Sequence, residues 1–150
     1  MTSSLLELVT YCPVRRFQAD ELVLEQGHST GLMLVLLEGE VEILRDSIRV
    51  ATASKPGVVF GEMSALLGAP HSASVRTCQP SSFAVIEQPR EFLEQSAKAS
   101  LFVAELLAHR LTALTQYLVD VKRQYEGHDH LGMVDEVLET LLHRVPRPTR

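Results

Sequence analysis

The loop 60–77 carries the residues whose types and spacing are best suited to chemistry. Gly61 permits a tight turn before a short apolar helical segment, and Gly68 and Pro70 form a second turn. Backbone N–H groups in such a loop can converge on one point, which suits an anion. Glu62 is an acceptor that can hold a sugar hydroxyl. Phosphate donors beside a carboxylate for a sugar predict a nucleotide site.

Short runs of strand-forming residues surround this loop, and turn signals rich in glycine, proline and serine separate them. The eight runs are 14–17, 22–24, 32–37, 41–44, 48–52, 58–60, 74–77 and 82–86. Strands of this number and spacing indicate an antiparallel β-roll or jelly roll. The predicted fold class is therefore mainly β, with flanking helices.

Helices are predicted on both sides of the roll. Ser4 and Glu7 have the spacing of a capping box and begin a short N-terminal helix, which Pro13 ends. Pro89 suits the first position of a second helix. We divide the chain into a roll with its N-terminal helix (1–98), a long helix (99–126) and a C-terminal helix (131–145). The C-terminal helix either caps a dimer or begins a further module.

The long helix carries an apolar seam whose members are spaced alternately by three and four positions. They are Ala104, Leu107, Leu111, Leu114, Leu118, Val121 and Tyr125. A two-position heptad pattern sustained over three heptads is typical of helix pairing between chains. The alternative is one stripe of a helix buried within the monomer. Because the roll can cover only part of the seam, we expect a homodimer.

The ordered motifs resemble the cyclic-nucleotide-binding domain family over roughly residues 3–126. Gly27 and Gly39 flank one predicted strand at the family's spacing. The run Pro56-Gly-Val-Val-Phe-Gly-Glu resembles its F-G-E motif, and the Pro70-His-Ser-Ala-Ser-Val segment resembles its P-R-[ST]-A-x-V motif. The order of elements is most similar to the sensor part of bacterial catabolite-activator and fumarate–nitrate regulators, in which the long helix pairs two subunits.

The resemblance implies a cyclic nucleotide, cAMP or cGMP, as the ligand. The positions that it assigns to ligand binding are Gly61, Glu62, Met63, Ser64, His71, Ser72, Ala73 and Thr115. In this scheme the backbone of Gly61 and Met63 donates N–H groups, and Ser72 binds the cyclic phosphate. Glu62 accepts from the ribose 2′-hydroxyl, and Thr115 reaches the purine edge. A threonine on the helix surface without a ligand role is the alternative for Thr115.

The main departure from the family is His71, which stands where the family has arginine. Arginine offers a permanently charged fork for two phosphate oxygens, whereas histidine near pH 7 is mostly neutral. Arg76 is a candidate replacement, but if Val75 faces the core, strand alternation turns Arg76 outward. His28 and Thr30 also depart, replacing an acidic residue and an alanine at scaffold positions. A different small anion, or a dimeric scaffold that has lost its ligand, therefore remains an alternative function.

Composition and charge exclude several other classes of protein. A net charge of −5 opposes a nucleic-acid-binding surface. The longest apolar run is too short for a membrane span, and the N-terminus lacks the basic region of a signal peptide. Cys12 and Cys78 have no metal or disulfide spacing, so we expect a reduced, cytoplasmic setting. The sequence does not identify a downstream protein partner.

Neither catalysis nor a bound metal or cofactor is expected. His128 and His130 flank an aspartate, but no third ligand stands near them. The strands lack the histidine pair of a cupin enzyme. Only a short tail follows the last helix, which leaves no room for a helix-turn-helix domain, so a regulator of transcription is expected only if the chain is a fragment.

Overall fold

The computed structural model describes residues 5–125 and 132–143. It begins with a single 3₁₀ turn, Leu5–Glu7, where the sequence predicts a longer helix whose cap, Ser4, lies outside the described residues. The strands are β1 Val14–Phe17, β2 Leu22–Leu24, β3 Met33–Glu38, β4 Val41–Arg45, β5 Ile48–Ala53, β6 Val59–Phe60, β7 Ser74–Thr77 and β8 Ser81–Ile86. The helices are α1 Glu62–Leu67, α2 Pro89–Gln95, α3 Ala97–Gln124 and α4 Gly132–His143.

The strands form two four-stranded sheets, in the orders β1-β8-β3-β6 and β2-β7-β4-β5. Every recorded strand pair within the described residues is antiparallel. The predicted antiparallel β-roll is therefore confirmed. Each predicted strand is present, with ends that differ by one residue at most. The runs were predictable because turn residues bound each of them on both sides.

The core is built from apolar side chains of both sheets. Its buried members are Leu24, Leu34, Leu36, Val41, Phe60, Val75, Phe83 and Val85. Phe83 makes edge-to-face contacts with Phe17 and Phe60, with ring centroids 5.7 and 6.1 Å apart. Because β3, β6 and β8 all contribute to this core, packing fixes the end of β6, where the candidate loop begins.

The long helix follows the roll, as predicted. Pro89 occupies the first turn of α2, where its missing N–H leaves no hydrogen bond unmade. α3 is 28 residues long and begins two residues earlier than predicted. The chain divides into two compact units, Met1–Phe102 and Val103–Arg150, so that the boundary falls inside α3. The division into three parts at 98 and 126 stays a prediction.

None of the helices in the described part of the chain is long and apolar enough to cross a membrane.

Candidate functional site

The candidate loop joins the edge strand of one sheet to an inner strand of the other. It leaves β6, forms the short helix α1 and enters β7. β7 lies between β2 and β4, so the end of the loop is fixed by two neighbouring strands. The loop is therefore anchored at both ends by the sheets that build the core.

The loop begins with a turn that only glycine can make without strain. Gly61 has φ of 85°, and a Cβ at this position would lie 2.6 Å from the carbonyl oxygen of Leu32. Glu62 follows and is buried, with 5% of its surface exposed, whereas Met63 is 45% exposed. The turn thus brings one carboxylate inside the fold at the point where the sequence predicts a ligand.

The helix α1 is closed by its own residues. Gly68 adopts a left-handed conformation after Leu67, and its N–H donates to the Ser64 carbonyl. The Ser64 hydroxyl in turn donates to the carbonyl of Ala69. Ser64 therefore stabilises the end of the loop, and the ligand contact that the resemblance assigns to it stays a prediction.

The segment between β2 and β3 contacts the C-terminal end of the loop through hydrogen bonds of its backbone. Gly27 N–H donates to the His71 carbonyl at 2.9 Å, and His71 N–H donates to the His28 carbonyl at 2.9 Å. Gln26 N–H donates to Ser74 Oγ at 2.9 Å. Because the same segment supplies Leu32 beside Gly61, it contacts the loop at its beginning and at its end.

His71 is buried, with 4% of its surface exposed. Its Nε2 is hydrogen-bonded to Thr30 Oγ1 at 2.7 Å. The imidazole Cε1 lies 3.5 Å from the position that a Cβ on Gly61 would occupy. Burial lowers the pKa of His71 from its ordinary value of 6.5, because the charged ring would lose hydration. At neutral pH this position carries an uncharged hydrogen-bonding group.

The next residues extend from the loop towards β7. Ser72 is exposed and Ala73 is half-buried. Val75 is buried and Arg76 is exposed, as strand alternation predicts. Arg76 donates to Glu42 Oε1 from Nε at 2.8 Å and also from Nη2. The expectation that Arg76 does not replace the missing arginine is thus supported by its outward position and its carboxylate partner.

The remaining predicted positions lie on α3, in the second unit. Thr115 is half-buried there, and its contact with a ligand stays a prediction. Along the seam, Leu107, Leu118 and Val121 are half-buried. Leu111, Leu114 and Tyr125 are exposed by 42%, 45% and 41% of their surfaces. The described residues therefore leave much of the seam uncovered within one chain.

The contact of Thr30 with His71 is not evident from the sequence, which places Thr30 at a scaffold position. Two features of the sequence could have suggested this contact. Thr30 has a hydroxyl where the family has alanine, and His71 stands at the arginine position of a second family motif. The contact between them requires the fold, since 41 residues separate Thr30 from His71.

A cleft elsewhere on the first unit has a volume of about 280 Å³ and is lined by Tyr11, Cys12, Pro13, Val85, Ile86, Glu87, Gln88, Glu91, Phe92 and Gln95. None of these residues belongs to the candidate loop. No group of three His, Cys, Asp or Glu side chains that could hold a metal is found among residues 5–125 and 132–143. His128 and His130 lie outside the described residues.

Comparison with known families assigns the roll to one of them. The sequence profile of the cyclic nucleotide-binding domain matches residues 14–98, which include all eight strands, α1 and α2. The chain belongs to the cyclic nucleotide-binding domain family. No curated protein matches the chain.

Solved structures share the fold at low sequence identity. A catabolite activator protein from Thermus thermophilus superposes with a TM-score of 0.65 at 21% identity, covering 92% of this chain and 80% of that one. A transcriptional regulator from Thermotoga maritima gives 0.69 at 18% identity, covering 81% and 99%. The cAMP-bound PfPKA-R gives 0.57 at 15% identity, covering 73% of this chain. This chain spans 36% of the PfPKA-R chain.

Proposed function

We propose that this protein is a regulatory module that binds a cyclic nucleotide, cAMP or cGMP, and acts without catalysis. The observation that carries the proposal is the family match over residues 14–98, which contains the anchored Gly61–Glu62 turn. Similar structures include the cAMP-bound PfPKA-R and a cGMP-bound form of the EAL enzyme Bd1971. At 15% and 22% identity these likenesses concern the fold, so the ligand is our inference.

In this proposal different residues of the loop bind the cyclic phosphate and the ribose. The backbone N–H groups of Gly61 and Met63, with Ser72 and the closely approaching backbone of Ala73, bind the cyclic phosphate. Glu62 accepts the ribose 2′-hydroxyl, and its burial favours this because a ligand hydroxyl gains most from an acceptor that water does not reach. Thr115 is our candidate for the contact with the purine.

The lack of an arginine at position 71 weakens the affinity in this proposal. A charge-assisted hydrogen bond contributes about 1.5–3 kcal/mol, which corresponds to roughly 10- to 150-fold in affinity. His71 is neutral at pH 7, and Arg76 is paired with Glu42 on the outer face. We therefore infer micromolar or weaker binding rather than the tight binding of a site with a guanidinium.

We also propose that the working form is a homodimer, paired through the seam on α3. The exposure of Leu111, Leu114 and Tyr125 within one chain supports this, because a second copy would remove these surfaces from water. A downstream protein partner and a cytoplasmic location belong to the same proposal. The free thiols of Cys12 and Cys78 are compatible with a reducing compartment.

Isothermal calorimetry with cAMP and with cGMP tests the ligand proposal directly. We expect heat of binding with one or both nucleotides at sub-millimolar concentration, and none with 5′-AMP, which lacks the ring phosphate. His71→Arg should tighten binding by about one to two orders of magnitude. Arg76→Gln is the matched control, because Arg76 lies on the outer face of β7 and should not affect binding. No heat at millimolar nucleotide, with the protein folded, would overturn the proposal.

A ligand-independent dimeric scaffold is the second candidate. The pairing of Arg76 with Glu42 favours it, because the arginine nearest in sequence to His71 is then directed at a carboxylate of the protein rather than at a phosphate. This alternative predicts the same dimer with and without nucleotide, and no gain from His71→Arg. A sensor fragment of a transcription regulator remains a third hypothesis, and a full-length gene product with a DNA-binding domain would support it.

A further inference from the structure

Two departures from the family pattern are hydrogen-bonded to each other. Thr30 stands in place of alanine and His71 in place of arginine. Their side chains meet, with Thr30 Oγ1 2.7 Å from His71 Nε2. An alanine at position 30 has no hydroxyl for such a bond. The two departures therefore share one side-chain hydrogen bond.

A second hydrogen bond to Thr30 limits the roles that its hydroxyl can take towards His71. Leu32 N–H donates to Thr30 Oγ1 at 3.2 Å, which fills one of the two acceptor positions of the hydroxyl. The hydroxyl keeps its proton and its second acceptor position for His71 Nε2, so the contact fits a ring nitrogen that accepts as well as one that donates. A neutral imidazole that accepts at Nε2 carries its own proton on Nδ1.

We propose that Thr30 is a positioning residue that holds neutral His71 in the Nδ1–H form, so that Nδ1 donates to the anionic group of the ligand. This inference rests on the proposed function, because it assigns the phosphate contact of the same site. The ring edge with Cε1, which lies between the two nitrogens, faces the Gly61 turn. With Nε2 bonded to Thr30, Nδ1 is the ring nitrogen that remains for a ligand.

Because His71 is buried, its tautomer decides whether the ring can donate a hydrogen bond to an anion. Because burial lowers the pKa of the ring, His71 does not gain a charge near pH 7 that would make both nitrogens donors. A neutral ring has one donor, and its position decides whether the ring attracts or repels an anion. The Nε2–H form would present the lone pair of Nδ1 to the phosphate and oppose binding.

The first experiment measures the tautomer in the full chain without ligand. Histidine is labelled with ¹⁵N, and NMR shifts of the His71 ring nitrogens are compared at pH 7.5 for the wild type, Thr30→Val and Thr30→Ser. We expect the Nδ1–H form in the wild type and in Thr30→Ser, and its loss in Thr30→Val. Thr30 is exposed, so these variants should fold. Thr52→Val, the same change at an exposed position of β5, is the control and should leave His71 unchanged.

The second experiment measures binding of cAMP and of cGMP by calorimetry to the same four proteins. We expect Thr30→Val to raise the Kd by about 3- to 10-fold, the range for one neutral hydrogen bond. Thr30→Ser should bind like the wild type, and so should Thr52→Val. Wild-type affinity in Thr30→Ser would support positioning by the hydroxyl, because serine keeps this group and lacks only the methyl group of threonine.

The results separate this inference from the proposed function. If the wild type binds a nucleotide but His71 is in the Nε2–H form, or Thr30→Val leaves both tautomer and Kd unchanged, the role of Thr30 is overturned. If the wild type binds neither nucleotide, the proposed function and the phosphate contact of His71 fail together. The NMR comparison then decides whether Thr30 still sets the tautomer.

Discussion

His71 shows that a residue can be recognised in a sequence although its contacts appear only in the fold. Its motif position was clear, but its neighbours were not. The ring is buried, bonded to Thr30 and close to Gly61. A buried neutral imidazole affects stability as well as binding, and this gives the site a dependence on pH that can be measured.

We predict that His71 makes the folded state less stable at mildly acidic pH. The pKa of folded His71 lies below the value of 6.5 that applies to the unfolded chain. Between these two pKa values the unfolded state binds a proton that the folded state does not. The free energy of unfolding therefore falls as the pH falls through this window, and the contribution is fully present above pH 6.5.

Thermal denaturation at pH 7.5, 6.5 and 5.5 tests this prediction. The wild type should lose more stability on acidification than His71→Gln. The matched control is His109→Gln, at an exposed position of α3, which should retain the wild-type slope. Equal slopes for the wild type and His71→Gln would contradict the prediction.

Gly61 gives a second prediction at the scale of one residue. Gly61→Ala should cost about 2–4 kcal/mol, because the left-handed backbone and the close Leu32 carbonyl both oppose a Cβ. Gly27→Ala is the control: φ is 84°, but no atom lies within 4 Å of its Cβ position. It should cost about 1–2 kcal/mol. Urea denaturation measures the free energy of unfolding of both variants. Equal losses would argue against a steric cost from the Leu32 carbonyl.

At the scale of the elements, α3 presents an apolar seam that the described residues of one chain leave partly exposed. Its seam was predictable because the three- and four-residue spacing is a property of the helix alone. Whether the seam is covered within the monomer depends on what packs around it, so the sequence favoured a homodimer and left a buried stripe as the alternative. The exposure of Leu111 and Leu114 supports a second copy as the partner.

We predict that Leu111→Glu combined with Leu114→Glu dissociates the dimer. Burying a leucine side chain contributes about 1.5–3 kcal/mol, so that loss of two should raise the dimer Kd by about 100-fold or more. Tyr117→Glu, at an exposed position beside the seam, is the control and should remain dimeric. Analytical ultracentrifugation measures the state. A wild type that is monomeric at high concentration would contradict the proposal.

For the whole molecule, ligand binding should appear as increased thermal stability. At a ligand concentration about 100 times its Kd, binding to the folded state alone adds about 2.7 kcal/mol. For a chain of this size that corresponds to a rise in Tm of about 5–10 °C. Scanning calorimetry with cAMP, cGMP and 5′-AMP as the control tests this. An unchanged Tm with both cyclic nucleotides would favour the scaffold alternative.

The sequence alone determined the strands, the loop motif and the seam on α3, because turn residues, side-chain periodicity and glycine requirements act over a few neighbouring positions. It also correctly indicated that Arg76 faces outward, since alternation in β7 follows from the burial of Val75. Only the tertiary structure revealed that Thr30 meets His71, that Ser64 closes its own loop, and that Arg76 pairs with Glu42. These contacts join segments or orient side chains through packing, and no local pattern specifies them.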